Sequence, residues 1–269
     1  MSRSTFRLLR SAGGAVLIAS ALAPAAGVAA TPASGFEQFT GCPDRDDIQA
    51  CQVIDVAGGS LGLGRLEVPI AQPLHFAGGA SNTDAGSFFV AESGRVLAPT
   101  ALPIAGGAAG LTGDADGGAD AVAARVELTA DPEFTVDGIR ASVRIAFEGA
   151  GLPDGCGIGT ADAPLVLDLT NATTTPPDGT APISGDAGTP SFDAFASIVS
   201  SEHVLFVDNA YAVPAVSGCG STIGGREVGS VDDLVNASAG LPAPAGASQT
   251  FLRESTVRAA FDRAKVFGR

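Results

Sequence analysis

The chain has 269 residues and a formal net charge of −14, and it is 45% hydrophobic but only 6% aromatic. This acidity argues against nucleic-acid binding, because phosphates require a basic footprint, and against electrostatic adsorption to anionic lipid headgroups. Tryptophan is absent, and the chain contains one Tyr and two His. Few side chains are therefore available for catalysis or aromatic stacking, and the sequence defines compartment and fold class better than activity.

The N-terminus has the three parts of a secretory signal. Arg3, Arg7 and Arg10 precede an apolar stretch over residues 12–23, and small residues follow at 28–30. This order is typical of a signal peptide, and the apolar stretch is shorter than the roughly 17–25 residues of a membrane-spanning helix. We predict a secretory signal peptide over residues 1–30 and a product that is secreted or associated with the cell envelope.

The remaining chain has the pattern of short β-strands. Apolar side chains recur with a period of two in four segments, which places one face in a core and the other in water. A fifth segment is apolar throughout, as in a strand buried on both faces. In chain order the segments are residues 66–70, 122–128, 139–147, 165–169 and 204–207.

Turn clusters rich in Gly and Pro separate these strands. Many short strands with such turns are typical of a sandwich or a barrel. We predict an all-β fold, an antiparallel β-sandwich, formed by one domain over residues 31–269.

Helical spacing occurs at two places only. Val257, Ala260, Phe261 and Ala264 lie at helical spacing and predict a short C-terminal helical segment. A second short helix is predicted to start at Ser230, because acidic residues follow in what would be its first turn.

The four cysteines allow three disulfide pairings. An exported chain meets an oxidising compartment, where disulfides are the expected state. The sequence-local choice pairs Cys42 with Cys51 and Cys156 with Cys219, leaving no free thiol. Glycines flank Cys156 and Cys219, and they allow two backbones to approach closely. A redox or metal site is disfavoured, since no C-x-x-C pair and no nearby His is present.

The mature chain also carries a series of short motifs. They are Cys42-Pro43, Val68-Pro69-Ile70, Pro73, Val213-Pro214, Gly218-Cys219-Gly220, Val235-Asn236, Gly240-Leu241-Pro242 and Ala245-Gly246. Together they resemble the motifs of a set of exported proteins from high-GC Gram-positive bacteria. The resemblance implies export and a β-rich fold, and it transfers no catalytic residue. The acidic segment 113–120 departs from the pattern of that set.

Residues 58–62 match the G-x-S-x-G motif of hydrolases, with Ser60 as the nucleophile. In such enzymes the serine lies on a sharp turn between a strand and a helix. Here an alternating strand follows instead, and only His75 and His203 could serve as a base. A Gly-rich hairpin turn is the favoured interpretation, and a serine hydrolase using Ser60 remains an alternative.

Asp114, Asp116 and Asp120 lie at spacings that suit Ca²⁺ ligands on a Gly-rich turn. The EF-hand pattern fails, because its twelfth position is Arg125. The alternatives are a loop-type Ca²⁺ site and a solvated acidic loop. We predict no resident metal, cofactor or catalytic residue.

These observations favour a non-enzymatic exported binding or structural protein of the cell envelope or medium. The first alternative is a carrier of an apolar small molecule or lipid, held between sheets of small apolar residues. The sequence does not identify a partner; the candidates are an apolar ligand and, because the C-terminus is locally basic, an anionic envelope polymer, although these basic residues are more simply interpreted as charge compensation within an acidic protein.

Overall fold

A computed structural model describes residues 31–84, 86–91, 102–104, 122–135, 137–149 and 151–269. Within these ranges the regular secondary structure consists mostly of antiparallel strands. They are β1 (Ile48–Leu63), β2 (Leu66–Pro69), β3 (Leu74–Thr83), β4 (Gly86–Val90), β5 (Leu102–Pro103), β6 (Val122–Leu128), β7 (Glu133–Thr135), β8 (Gly138–Gly149), β9 (Gly157–Ile158), β10 (Leu165–Thr170), β11 (Thr189–Asp193), β12 (Ile198–Asp208), β13 (Val216–Ser217), β14 (Thr222–Ile223), β15 (Arg226–Glu227) and β16 (Thr250–Ala260).

The described helical elements are a 3₁₀ turn (Glu37–Phe39), α1 (Val231–Ala239) and α2 (Arg263–Val266). The helix predicted at Ser230 is confirmed as α1. The Ser230 side chain caps it by accepting a hydrogen bond from the backbone N–H of Asp233, 3.1 Å away. Neither helix has the length and apolar character to cross a membrane, as judged over the described residues.

The sheet closes on itself as an eight-stranded antiparallel barrel. Strands β1, β3, β4, β7, β8, β10, β12 and β16 are each bonded to the next, and β16 returns to β1. The prediction of an all-β antiparallel fold is confirmed, but the prediction of a sandwich is wrong. A period of two describes the strands of a sandwich and of a barrel equally. The difference lies in the pairing of β16 with β1, which joins strands about 200 residues apart.

The main core fills the barrel because apolar side chains alternate along its strands. On β8, Val143, Ile145 and Phe147 are buried in this core. The intervening Arg140 and Arg144 face outward, where they form ion pairs with carboxylates of neighbouring strands. The period-two segments predicted around β2, β6, β8 and β10 are all strands.

A smaller second core covers the outer face of β1 and β16. It contains Phe39 from the N-terminal segment, Val53 from β1, Ala260 from β16 and Val266 from α2. A short C-terminal helix is present as α2, but of the four residues that predicted it only Ala264 lies there, while Val257 and Ala260 lie in β16. Val257 contacts the core inside the barrel and Ala260 contacts the core outside it. Because β16 is buried on both faces, its apolar residues Val257 and Ala260 lie three positions apart, which resembles helical spacing.

One end of the barrel is closed by the chain between β12 and β16. We call it the closed end, and there α1 and the residues around it complete the main core. The Tyr211 hydroxyl donates to the Gly62 carbonyl oxygen at 2.7 Å, and Ala239 O accepts from Arg65 N at 2.7 Å. These bonds tie the covering segment to the turn that joins β1 and β2.

Two disulfides fasten segments to the barrel, Cys42–Cys51 and Cys156–Cys219, and no described cysteine is free. Their Cα atoms lie 5.4 Å and 4.2 Å apart, inside the limit of about 7 Å for a bridge. The glycines beside the second pair are needed for close approach. A Cβ on Gly218, whose φ is +79°, would lie 2.6 Å from the carbonyl oxygen of Gly155.

Candidate functional site: the open end of the barrel

The opposite end of the barrel contains a cavity of about 370 Å³. We call it the open end, where β8 begins at Gly138 and β10 ends at Thr170. Thr170 pairs with both Gly138 and Val207, while β12 continues past it to Ile198. The cavity lies in the space beside β12 that β8 and β10 do not extend far enough to fill. It is lined by Gln52, Ile54, Phe134, Gly138, Ile139, Asn171, Ala187, Gly188, Pro190, Ser201, Val204, Phe206 and Val257.

One wall of the cavity consists of regular rows across β1, β16 and β12. Ile54 pairs with Val257, and Val257 pairs with Ser201. All three side chains line the cavity, so this row faces inward. Since side chains two residues apart share a face, the next row outward also belongs to the inner face. That row contains Gln52 and Val199.

The wall opposite these rows is aromatic. The rings of Phe89 and Phe134 meet edge to face, with centroids 6.1 Å apart. Phe89 is 4% exposed and lies against Gly78 of β3. A Cβ on Gly78 would lie 2.9 Å from the Phe89 ring and 2.5 Å from the Val90 carbonyl oxygen, so glycine is required for this approach. Phe134 lines the cavity, and Phe89 packs behind it.

Two side-chain amides offer polar contacts in the otherwise apolar cavity. Gln52 and Asn171 are half-buried in its lining. Neither side chain has a hydrogen-bond partner among the residues that the structure describes. A ligand site typically combines apolar walls with a few such polar groups. In the sequence, the only feature that could have identified Gln52 as a site residue is that it interrupts an apolar run at an inward-facing position.

A pair of β-bulges bends the wall beside the cavity. Between Ser201 and Val204, β12 carries one extra residue relative to β16, and between Val204 and Phe206 the extra residue is on β16. His203 and Glu254 occupy these bulges with φ of 60° and 49°. The two insertions cancel, so the inward rows keep their face on both sides of the bulges.

A second hollow of about 410 Å³ lies against β10 and has a more polar lining than the first. Its lining includes Asp168, Thr170 and Asp208, and Asp208 is 1% exposed. Burial raises the pKa of Asp208 to about 6, although the backbone N–H groups of Ala210 and Asp168 donate to its carboxyl at 2.8 Å and 2.6 Å. Because both oxygens already have partners, we assign this carboxyl a structural role.

The residues of the hydrolase alternative are not brought together. Ser60 lies inside β1, paired with Phe251 on one side and Pro69 on the other, and not on a strand–helix turn. His75 hydrogen-bonds to Asp55. Asp55 precedes Ser60 by five residues on β1, which separates the two by about 16 Å at ~3.3 Å per residue. His203 bonds Glu254 instead. The geometry of a nucleophile elbow is absent at Ser60.

The Ca²⁺ candidate cannot be placed, because Asp114, Asp116 and Asp120 lie outside the described residues. Elsewhere, the described part of the chain contains no group of three His, Cys, Asp or Glu side chains arranged to hold a metal ion.

Most of the basic C-terminal residues are already in ion pairs. Arg258 pairs with Asp55 at 3.1 Å, and Arg263 and Arg269 share the carboxylate of Asp44. These pairings reduce the attraction of the C-terminus for an anionic polymer. The open end is therefore the better candidate for binding.

Comparison with known proteins adds no assignment. No family model, no curated protein and no solved structure matches the chain.

Proposed function

We propose that this is an exported, non-enzymatic binding protein that holds a small apolar molecule in the open end of its barrel. The observation that carries the proposal is the cavity of about 370 Å³ between the aliphatic rows and the aromatic wall. Small-molecule sites typically measure about 300–1,000 Å³ and are mostly apolar with a few polar groups. The cavity has this size and character.

The chemistry of the lining defines the ligand class. Ile54, Val204, Phe206 and Val257 provide apolar surface, which favours a hydrocarbon or ring system released from water. The unpaired amides of Gln52 and Asn171 can each donate to and accept from a polar group. We therefore expect a compact apolar ligand with a hydroxyl, carbonyl or similar uncharged group.

Export is part of the same proposal. The N-terminal pattern of residues 1–30 predicts secretion, and two disulfides are typical of oxidising compartments. We propose that the protein acts in the cell envelope or the medium. We also propose that it belongs to the set of exported proteins whose motifs it resembles.

A neutral dye tests the cavity directly. Nile red should bind the wild-type protein with a rise in fluorescence, and Val257→Phe should weaken binding by at least about tenfold, equivalent to ~1.4 kcal/mol, because the added ring fills the cavity. Val166→Phe is the matched control, since Val166 is 40% exposed on the outer face of β10.

The proposal is contradicted if the wild-type protein does not bind the dye, or if Val257→Phe binds it as well as Val166→Phe does. Unfolding curves of both variants show whether the fold is retained. An organic extract of protein purified from its native culture, analysed by mass spectrometry, then identifies the physiological ligand.

A further inference from the structure

An apolar rim continues the cavity wall out into solvent. Phe192 of β11 and Val199 of β12 pair across the hairpin and are 66% and 41% exposed. They lie two positions beyond Pro190 and Ser201, which line the cavity, and so share its face. We call Phe192, Phe195, Val199 and Phe261 the lip.

Phe195 forms the tip of the lip on a fixed main chain. Its N–H donates to Asp193 Oδ1 at 2.9 Å, and its carbonyl oxygen accepts from Lys265 Nζ at 2.8 Å. Phe261 is held beside it, since its N–H donates to Ser197 O at 3.2 Å. The backbone is thus anchored, while the rings of Phe195 and Phe261 are 92% and 60% exposed.

We propose that the lip inserts into the surface of a lipid bilayer and that the cavity is loaded there. This inference rests on the proposed function, because it identifies the source of the apolar ligand. A molecule leaving the bilayer would pass from lipid to the lip to the cavity wall without crossing water.

The shape and area of the lip favour lipid over a protein partner. At ~150–250 Å² for each ring, the exposed parts of Phe192, Phe195 and Phe261 amount to roughly 300–550 Å². A standard protein interface needs about 800 Å² on each partner. A protein covering the lip would also block the cavity, whereas a fluid bilayer would exchange ligand with it.

The charges beside the lip indicate which membrane it contacts. Asp193 and Asp262 lie next to Phe195 and Phe261 in sequence, and Lys265 is paired with Asp262 at 3.6 Å. Together these three side chains carry no net positive charge that could hold anionic headgroups, as judged over the described residues beside the lip. We therefore expect apolar insertion into zwitterionic lipid that is insensitive to salt.

The absence of tryptophan from the chain makes the experiment sharp. In the Phe195→Trp variant, phosphatidylcholine vesicles should shift indole emission to shorter wavelength, and brominated acyl chains should quench it. Leu234→Trp is the matched control, because Leu234 is 37% exposed on α1 at the closed end. Its emission should not change.

Vesicle co-sedimentation gives the second measurement. Phe195→Ser should reduce the partition coefficient of the protein by about tenfold or more, since burying a Phe side chain is worth at least that factor. Leu234→Ser should leave it unchanged. Equal partitioning of both variants, binding lost at high salt, or a solution dimer abolished by Phe195→Ser would each overturn the proposal.

Dye binding without vesicles separates this inference from the proposed function. Phe195 is not part of the cavity lining, so Phe195→Ser should bind Nile red with wild-type affinity. Wild-type protein that binds the dye but no vesicles overturns the lipid contact alone. Wild-type protein that binds no dye overturns the function on which it rests.

Discussion

His203 and Glu254 face each other across β12 and β16, with the imidazole Nδ1 2.5 Å from the carboxylate Oε2. Both residues have left-handed backbone conformations, which are uncommon outside glycine, and each is the extra residue of its own bulge. The ion pair therefore lies over two opposed irregularities. Beneath it, Val204 turns into the cavity.

The first prediction concerns the ionisation of this pair. The hydrogen bond and charge of Glu254 raise the pKa of His203 above its ordinary value of 6.5. In an NMR titration, Glu254→Gln should lower the pKa of His203. Glu202→Gln is the control and should lower it less, because the neighbouring Glu202 acts only through its charge. An unchanged pKa in Glu254→Gln would show that the pair does not form in solution.

The second prediction concerns the cancelling bulges. Deleting His203 removes the extra residue of β12, so Ser201 should stay opposite Val257 and keep its inward face. Deleting Ser200, which lies in a regular part of the same ladder, should instead turn Val199 to the outer face, because a one-residue slip exchanges the faces of a strand. We expect the His203 deletion to be more stable to urea than the Ser200 deletion and to retain Nile red binding. Equal losses in the two deletions would contradict this account of the register.

The third prediction concerns the pH dependence contributed by Asp208. Burial raises the pKa of its carboxyl from 3.8 to about 6, so between these values the folded protein binds the proton more tightly than the unfolded chain does. Its stabilising contribution is therefore present below pH 3.8 and is lost as the pH rises through about 6.

Urea unfolding of Asp208→Asn at pH 4.5 and pH 7.5 measures this contribution. The unfolding free energy of the variant minus that of wild type should be about 2 kcal/mol higher at pH 7.5 than at pH 4.5, at ~1.4 kcal/mol per pKa unit. The direct cost of the substitution cancels in this comparison. Asp178→Asn, at an exposed position, should show no such change. A flat difference for Asp208→Asn would contradict its buried, proton-binding character.

The fourth prediction compares the disulfides. Cys156 and Cys219 are 63 residues apart and Cys42 and Cys51 are 9 apart, so the first bond restricts the unfolded chain more. Replacing the Cys156–Cys219 pair by serines should lower the unfolding free energy by about 4 kcal/mol, against about 2.5 kcal/mol for the other pair. Calorimetry of the two double variants checks the order, and the reverse order would contradict it.

Local patterns in the sequence were sufficient for β2, β6, β8, β10 and part of β12, but not for the long strands β1, β3 and β16. The alternation over residues 139–147 defined β8, and Ser230 defined the start of α1. Closure of the barrel could not be predicted from local patterns, because it depends on the pairing of β16 with β1, which are far apart in sequence. The helical spacing at Val257 and Ala260 misled for a related reason, since both faces of β16 are buried against different cores.

The cavity was harder to predict than the strands. Gln52, Asn171, Pro190 and Val257 come from four separate parts of the chain, and no local motif joins them. The general suggestion of an apolar carrier arose from the small apolar residues of the sheets. Its location depends on where β10 ends relative to β12, which is a property of the three-dimensional register.

The seam between β16 and β1 also bears on the order of folding. Cys51 pairs with Ala260, so the largest strand pairing joins residues far apart in sequence, and such high contact order slows folding. Until Thr250–Ala260 docks, β1 and β12 each present an open edge to other chains. We expect aggregation to compete with folding mainly during this interval, and a chaperone that shields strand edges to raise the yield of refolded protein.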